Sequence, residues 1–246
     1  MSSAALDLPD PLAAHLAGFD LARLRAEFAA NGEFIVVPGF LPSALLAPLL
    51  ASLPALEPQV HRNFIPGHKQ GGSISRYDLD RYAPAFPAFY RAPALKAFLE
   101  ALAGRELLYC PADDPHTYAL YYYTEAGDHI GYHFDTSYYK GARYTILLGL
   151  VDESSCKLEY ELFHGQPDRA PVPGAVSLAP GMLVCFNGDR LWHRISPAAP
   201  GDRRIALTLE FVTSRDMHPL RRFVSNMKDA IAYFGFRQVF SGSRRT

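Results

Sequence analysis

The chain has little of what staples, anchors or strongly charges a protein. Its three cysteines, Cys110, Cys156 and Cys185, are too few and odd in number for a disulfide framework. Their spacing matches no zinc-binding arrangement, so reduced thiols in a cytoplasmic protein are expected. No apolar run approaches the roughly 18 residues of a membrane-crossing helix. The opening MSSAALDLPDPLAAHLAGFD lacks a basic segment leading into an apolar one, so neither a signal peptide nor a membrane partner is expected. Long Lys/Arg blocks are missing as well, and a net charge of -1 at pH 7 argues against a nucleic-acid partner. The RRT terminus and Arg221-Arg222 read as solvated surface. With no internal repeat or low-complexity linker, residues 1–246 read as a single domain, monomer or homodimer.

What is present is apolar and aromatic: 49% hydrophobic residues and 13% aromatics suffice for a sizeable core. Residues 11–55 read as helical pieces around one strand. LARLRAEFAA (Leu21 to Ala30) forms a helix capped by Asp20, EFIVVPGF a strand, and LPSALLAPLLASL a helix with Ser43 as N-cap. Residues 56–82, with GHKQGGS, read as too irregular for an element and long enough for a functional loop. A helix resumes around Ala94 to Leu102.

From residue 106 the pattern changes. ELLYC, HTYALYYYT, RYTILLGLVD, KLEYELF, VSLAPGMLVCF and RIALTLEFVT are β-branched or aromatic runs separated by turns. Nothing between them is long enough for a helical crossover, so the sheet must be antiparallel. The expected fold is mainly β with flanking α, a double-stranded β-helix (jelly roll) with the N-terminal helices packed outside. Residues 1–104 form the mostly helical part with its loop, 105–212 the jelly-roll core and 213–246 a closing segment. In that last segment MKDAIAYFGFRQVF reads as a helix and an extended tail.

One stretch of the strand-rich half carries chemistry. In HIGYHFDTSY, His133 and Asp135 lie two residues apart, on one face of an extended strand. Trp192-His193 follows the turn NGDR after the apolar strand GMLVCF and supplies a third ligand. Two imidazoles and one carboxylate make the facial set of non-haem Fe(II) sites, which leaves coordination positions for cosubstrate and oxygen. His129 shares the parity of His133, but EAGDH reads as a turn. Further on, Arg204 opens RIALTLEF on the face of Ala206, Thr208 and Glu210, while Arg203 falls with the apolar set. An arginine so placed can clamp a carboxylate through a bidentate fork.

HxD, a distant His and a following Arg resemble the Fe(II)/2-oxoglutarate-dependent dioxygenase superfamily, over roughly residues 105–212. The resemblance implies metal ligands His133, Asp135 and His193, with Fe(II), 2-oxoglutarate and O2 as cofactors and cosubstrate. It implies that Arg204 binds the far carboxylate of 2-oxoglutarate, helped by Tyr123, by Tyr121 on the same face, and more weakly by Thr145. GDHIGYHFDTSYYKGARYTILLGLVDESSC, FNGDRLWHRISP and SNMKDAIAYFGF further resemble a microbial group of lysine halogenases and free amino-acid hydroxylases. Those halogenases carry a small residue in place of the metal carboxylate so that chloride can bind. This chain keeps Asp135, which implies hydroxylation of an unactivated C–H bond, yielding succinate and CO2.

The implied substrate is a small molecule, a free amino acid such as lysine or another polar one. Its candidate contacts are Arg76, Asp78, His116, Glu125, Thr136, Ser137, Trp192 and Asn226. Each has a structural alternative: a surface pair for Arg76 and Asp78, a strand cap for His116, a turn residue for Glu125, packing for Trp192, a helix cap for Asn226. Other readings stay open. The same chemistry could act on a different small molecule, or the barrel could bind metal or ligand without turnover. A Cys185–His193 nucleophile pair is opposed by the buried look of GMLVCF.

Overall fold

In the computed structural model, which describes residues 10–112, 114–137 and 139–216, helices precede strands as the sequence patterns imply. Asp10 caps α1 (Pro11–Leu16) and Asp20 caps α2 (Leu21–Ala30), each carboxylate accepting a backbone N–H of the first turn. β1 (Phe34–Val37) follows. α3 (Ser43–Leu56) starts differently from expectation: extended Pro42 holds the N-cap position with no side-chain bond, and Ser43 is already helical.

Residues 56–82 depart most from their sequence reading. They form a hairpin of β2 (His61–Ile65) and β3 (Lys69–Ile74), followed by α4 (Arg76–Tyr82). The glycines that suggest a loop are a packing requirement. A Cβ on Gly72 would sit 2.6 Å from Val60 Cγ1 and 3.0 Å from Tyr122 Cβ, and one on Gly71 would lie 3.3 Å from the Tyr122 carbonyl. Strand glycines mark this kind of close backbone approach.

α5 (Ala85–Tyr90) leads to α6 (Pro93–Ala103). α6 has Pro in its first turn, a left-handed Gly104 at its end (φ 67°), and buried Leu95, Phe98, Leu99 and Leu102 on one face. The remaining strands are β4 (Leu108–Tyr109), β5 (Tyr118–Tyr123), β6 (His129–His133), β7 (Arg143–Glu153), β8 (Leu158–Leu162), β9 (Val172–Val176), β10 (Leu183–Asn187), β11 (Trp192–Ile195) and β12 (Arg203–Val212). VSLAPGMLVCF is thus divided, its LAPG portion turning between β9 and β10. The MKDAIAYFGFRQVF expectation lies outside the described residues.

The strands pair antiparallel in the order β1-β10-β7-β12-β5-β3-β6-β11-β8-β9, with β2 attached to β3 and β4 to β12. The sheet curls into a half-barrel of jelly-roll type. Phe34 on β1, at one end of that order, meets Tyr160 on β8 near the other, ring centroids 4.3 Å apart. The helices pack on the outside of this sheet, as expected. The N-terminal part also contributes strands: β1 lies against β10, and β3 bridges β5 and β6.

The period of two along β12 sorts its side chains. Ile205, Leu207, Leu209 and Phe211 pack toward the helices, while Arg204, Ala206, Thr208 and Glu210 line a chamber inside the curl. Among the described residues no helix is long and apolar enough to cross a membrane.

Candidate active site

β6 and β11 pair so that His133 and His193 are direct cross-strand partners. Asp135 lies two residues beyond the end of β6. One ligand atom from each of the three lies within 4.8 Å of the others. His133 Nε2 is 3.2 Å from Asp135 Oδ1, and His193 Nε2 is 3.9 Å from Asp135 Oδ2.

The backbone fixes both ring tautomers. His133 Nδ1 lies 2.8 Å from the Gly131 carbonyl and His193 Nδ1 lies 3.0 Å from that of Leu191. A carbonyl only accepts, so Nδ1 carries the proton and the Nε2 lone pair is left for a metal. Thr145 Oγ1 donates to Asp135 Oδ2 at 2.8 Å. On the other side of Asp135, a Cβ on Gly188 would be 2.6 Å from its carbonyl oxygen and 2.8 Å from its Cβ. The turn after β10 therefore braces the ligand through a glycine, and Asp189 of the same turn accepts the Ser137 N–H at 2.7 Å.

Burial drives His193 down to about 4 against the pull of Asp135, which leaves it neutral and able to ligate at ordinary pH. Burial opposes ionisation of Asp135, but His193, His133 and Arg143 outweigh it and hold the carboxyl far below its usual range. With His193 itself neutral above about pH 4, Arg143 is the permanent cation that favours the Asp135 carboxylate at neutral pH. Burial lowers His133, and the hydrogen bond and charge of Asp135 more than restore it, giving a net rise.

The chamber encloses about 160 Å³ beside the triad, room for small molecules. At one end Arg204 is buried, 1% exposed, with its guanidinium 5.0 Å from the Tyr123 ring centroid. Its Nε has no hydrogen-bond partner, and among the described residues no carboxylate lies within ion-pair distance of it. A buried cation without an acid is costly unless an anion arrives from outside. Burial pushes Tyr123 up to about 12 against Arg204, so its phenol keeps the proton and can donate.

The donor set and the tautomers fit Fe(II), and the uncompensated Arg204 fits the carboxylate of a chelating 2-oxo acid. His133, Asp135 and His193 would hold the metal, and Arg204 with Tyr123 the far carboxylate.

Tyr121, His116 and Thr136 also line the chamber. So does Thr145, but it pairs in register with Glu210, while Arg204 pairs with Asp152. At about 3.3 Å per strand residue, Thr145 stands far from Arg204, and its hydroxyl is engaged by Asp135 and Glu210. The other expected contacts lie off the lining. Arg76 bonds the Asp114 carbonyl and Thr117 and pairs with Asp80. Ser75 caps α4 by accepting the Asp78 backbone N–H, and its hydroxyl donates to the Asp78 carboxylate. Glu125, in a turn, pairs with Arg62 at 3.1 Å. Ser137 bonds Tyr139 and the Asp189 turn. Trp192 stacks between Tyr132 and His164, facing away from its neighbour His193. Asn226 lies outside the described residues. His129 bonds the Gly127 carbonyl and takes no part in the triad.

Two charged lining residues escape the sequence reading. Arg143 Nε donates to Glu210 Oε2 at 2.8 Å, both side chains facing the chamber. Burial pushes Glu210 up to about 7 against the charge of Arg143. Parity was the available signal: Arg143 is two residues from Thr145, and Glu210 shares the face of Arg204.

Comparison with known proteins gives a consistent picture. A family model described as Halogenase D matches residues 18–141. None of the curated proteins matches the chain. Among solved structures, a prolyl hydroxylase of Trichoplax adhaerens is similar at TM-score 0.65 and 14% identity, covering 90% of this chain and 99% of that one. The non-haem, α-ketoglutarate-dependent epimerase SnoN of nogalamycin biosynthesis gives 0.64 at 18% identity, covering 78% and 80%. A Pseudomonas putida prolyl-4-hydroxylase gives 0.59 at 18%, covering 79% and 99%. At these identities the likeness is one of fold.

Proposed function

The chain belongs to the Halogenase D family, and with it to the Fe(II)/2-oxoglutarate-dependent oxygenases; from that premise we propose that it hydroxylates an unactivated C–H bond of a free amino acid. The carrying observation is Asp135, whose carboxylate sits with the two imidazoles in the ligand cluster. Where the resembled halogenases leave a place for halide, this chain has an oxygen ligand, which favours hydroxyl over halogen transfer. Bound Fe(II) and 2-oxoglutarate supply the oxidising chemistry, converting O2 and 2-oxoglutarate to succinate and CO2 as the C–H bond is oxidised.

The chain's own residues orient and insulate. The Gly131 and Leu191 carbonyls keep the two Nε2 atoms aimed at the metal position. Thr145 holds one Asp135 oxygen. Arg204 and Tyr123 give the cosubstrate carboxylate a cation and a hydroxyl, and Ile130, Leu158 and Ile195 wall off water. His116 and Thr136, at the chamber wall, are the substrate contacts kept from the expected set.

A second reading, the same chemistry on a small molecule other than an amino acid, is favoured by Arg76, Asp78 and Glu125 standing off the chamber lining. One experiment separates the two. Protein loaded anaerobically with Fe(II) receives 2-oxoglutarate and oxygen with each standard amino acid, and succinate is measured beside an Asp135→Ala control. Turnover stimulated by one amino acid and lost in the control, with a product heavier by one oxygen, supports the first reading. Slow succinate release that no amino acid stimulates supports the second, and no succinate with any addition removes both.

A further inference from the structure

The chamber has two guanidinium groups at opposite ends, buried Arg204 on β12 and largely buried Arg143 on the neighbouring β7. Arg204 has no acid beside it among the described residues. Arg143, on β7, is tied to Glu210, whose register partner is Thr145. The Arg143 and Glu210 side chains retain 11% and 4% exposure, and both line the chamber. Among the described residues Arg143 makes one side-chain hydrogen bond, from Nε to Glu210 Oε2. Its terminal nitrogens make no hydrogen bond to the described residues, and the residue lines the chamber. Asp114 is engaged with Tyr139 and the His116 backbone N–H.

The two ends therefore select different ligands. A dicarboxylate suits Arg204, where its charge is unopposed. The same anion at Arg143 would meet the Glu210 carboxylate alongside. A molecule carrying a carboxylate and an ammonium on adjacent atoms has no such conflict. Its carboxylate can take the Arg143 fork while its ammonium faces Glu210, and reciprocal charge pairs on largely buried groups discriminate between ligands.

We propose that Arg143 and Glu210 form the substrate-reading end of the chamber, Arg143 binding the carboxylate and Glu210 the ammonium of an α-amino acid. This rests on the amino-acid reading above and adds the residues that enforce it. Glu210 has a second duty, since its bond to Nε fixes the plane of the guanidinium and hence the direction of the fork.

The test is a cycle between ligand and protein. Succinate release is measured for the wild type, Arg143→Lys and Glu210→Gln, each with the stimulating amino acid, its methyl ester and its des-amino acid. In the wild type both analogues should lose on the order of tenfold to a hundredfold in kcat/KM. The ester penalty should shrink to a few-fold in Arg143→Lys, and the des-amino penalty should shrink in Glu210→Gln. A merely structural pair would give additive losses, with the analogue penalties the same in every protein, and that overturns the proposal. The wild-type comparison needs no variant to fold: an ester that stimulates as well as the free acid also overturns it. If no amino acid stimulates the wild type, the amino-acid reading falls and takes this inference with it. That outcome is distinct from stimulation whose analogue penalties the variants leave unchanged.

Discussion

His193 stands directly opposite His133 in the ladder between β11 and β6, their ring centroids 4.3 Å apart. Residues far apart in sequence thus become neighbours through backbone pairing, and the geometry exists before any metal arrives. The register shifts between His193 and Ile195, the next registered position, which pairs with Ile130. Four expectations follow from how the surroundings hold this site.

Thr145 has one hydroxyl proton and two carboxylates to satisfy, Asp135 Oδ2 at 2.8 Å and Glu210 Oε2 at 3.1 Å. Thr145→Val should weaken metal binding by roughly tenfold to a hundredfold, the usual cost of losing a partner of a ligand. Thr145→Ser should restore it. Anaerobic titration of the apoprotein with Fe(II) or Co(II) decides the matter, and equal affinity for all three proteins would deny Thr145 this role.

Gly188 is held to glycine by Asp135, since any Cβ would meet the ligand's own backbone and Cβ well inside contact distance. Gly188→Ala must push the Asp135 segment away, because the obstacle is not the flexible end of a side chain. Metal affinity should fall and the melting temperature should drop by several degrees. Unaltered metal affinity would mean that the turn can retreat instead.

Arg204 sets function against stability. Arg204→Met should raise the KM for 2-oxoglutarate on the order of a hundredfold. In the apoprotein it should also remove an uncompensated buried charge and stabilise the fold by on the order of 1 kcal/mol. Calorimetry without cosubstrate tests the second half, and a lower melting temperature would contradict it.

Glu210 gives a pH-dependent signature. Its carboxyl rises from 4.5 to about 7 on folding, burial prevailing over Arg143. The folded state therefore holds this proton more tightly than the unfolded chain does. Stability from it is complete below about 4.5 and is lost as pH rises through about 7. Over that window the stability of apo wild type relative to Glu210→Gln should fall by on the order of 3 kcal/mol. Denaturant melts at several pH values measure it; a difference that stays flat, or grows with pH, would contradict the assignment.

Much of the fold could be read locally. The Asp20 cap of α2, the helix around Ala94 to Leu102 and the period of two along β12 are short-range patterns, and the structure keeps them. β3 could not be read that way. Its paired glycines weaken strand propensity, and the reason for them, the approach of Tyr122 and Val60, is a contact with distant segments. Trp192 and His193 show how far alternation goes: it puts them on opposite faces, and the structure places one in an aromatic stack and the other in the metal cluster.

By itself the sequence determined the donor chemistry: an HxD pair on one strand face, a later histidine at a strand start, and an arginine whose parity points away from the helices. These depend on residue type and on the two-residue strand repeat, which are local properties. Only the tertiary structure decided which charged groups share the chamber. It left Arg76 in a buried network with Thr117 and the Asp114 carbonyl, Asp78 in a cap and Glu125 in a surface pair, and brought Arg143 and Glu210 inside together. Cavity membership depends on strand order and register, set by pairings between residues far apart in the chain, and no local spacing encodes those.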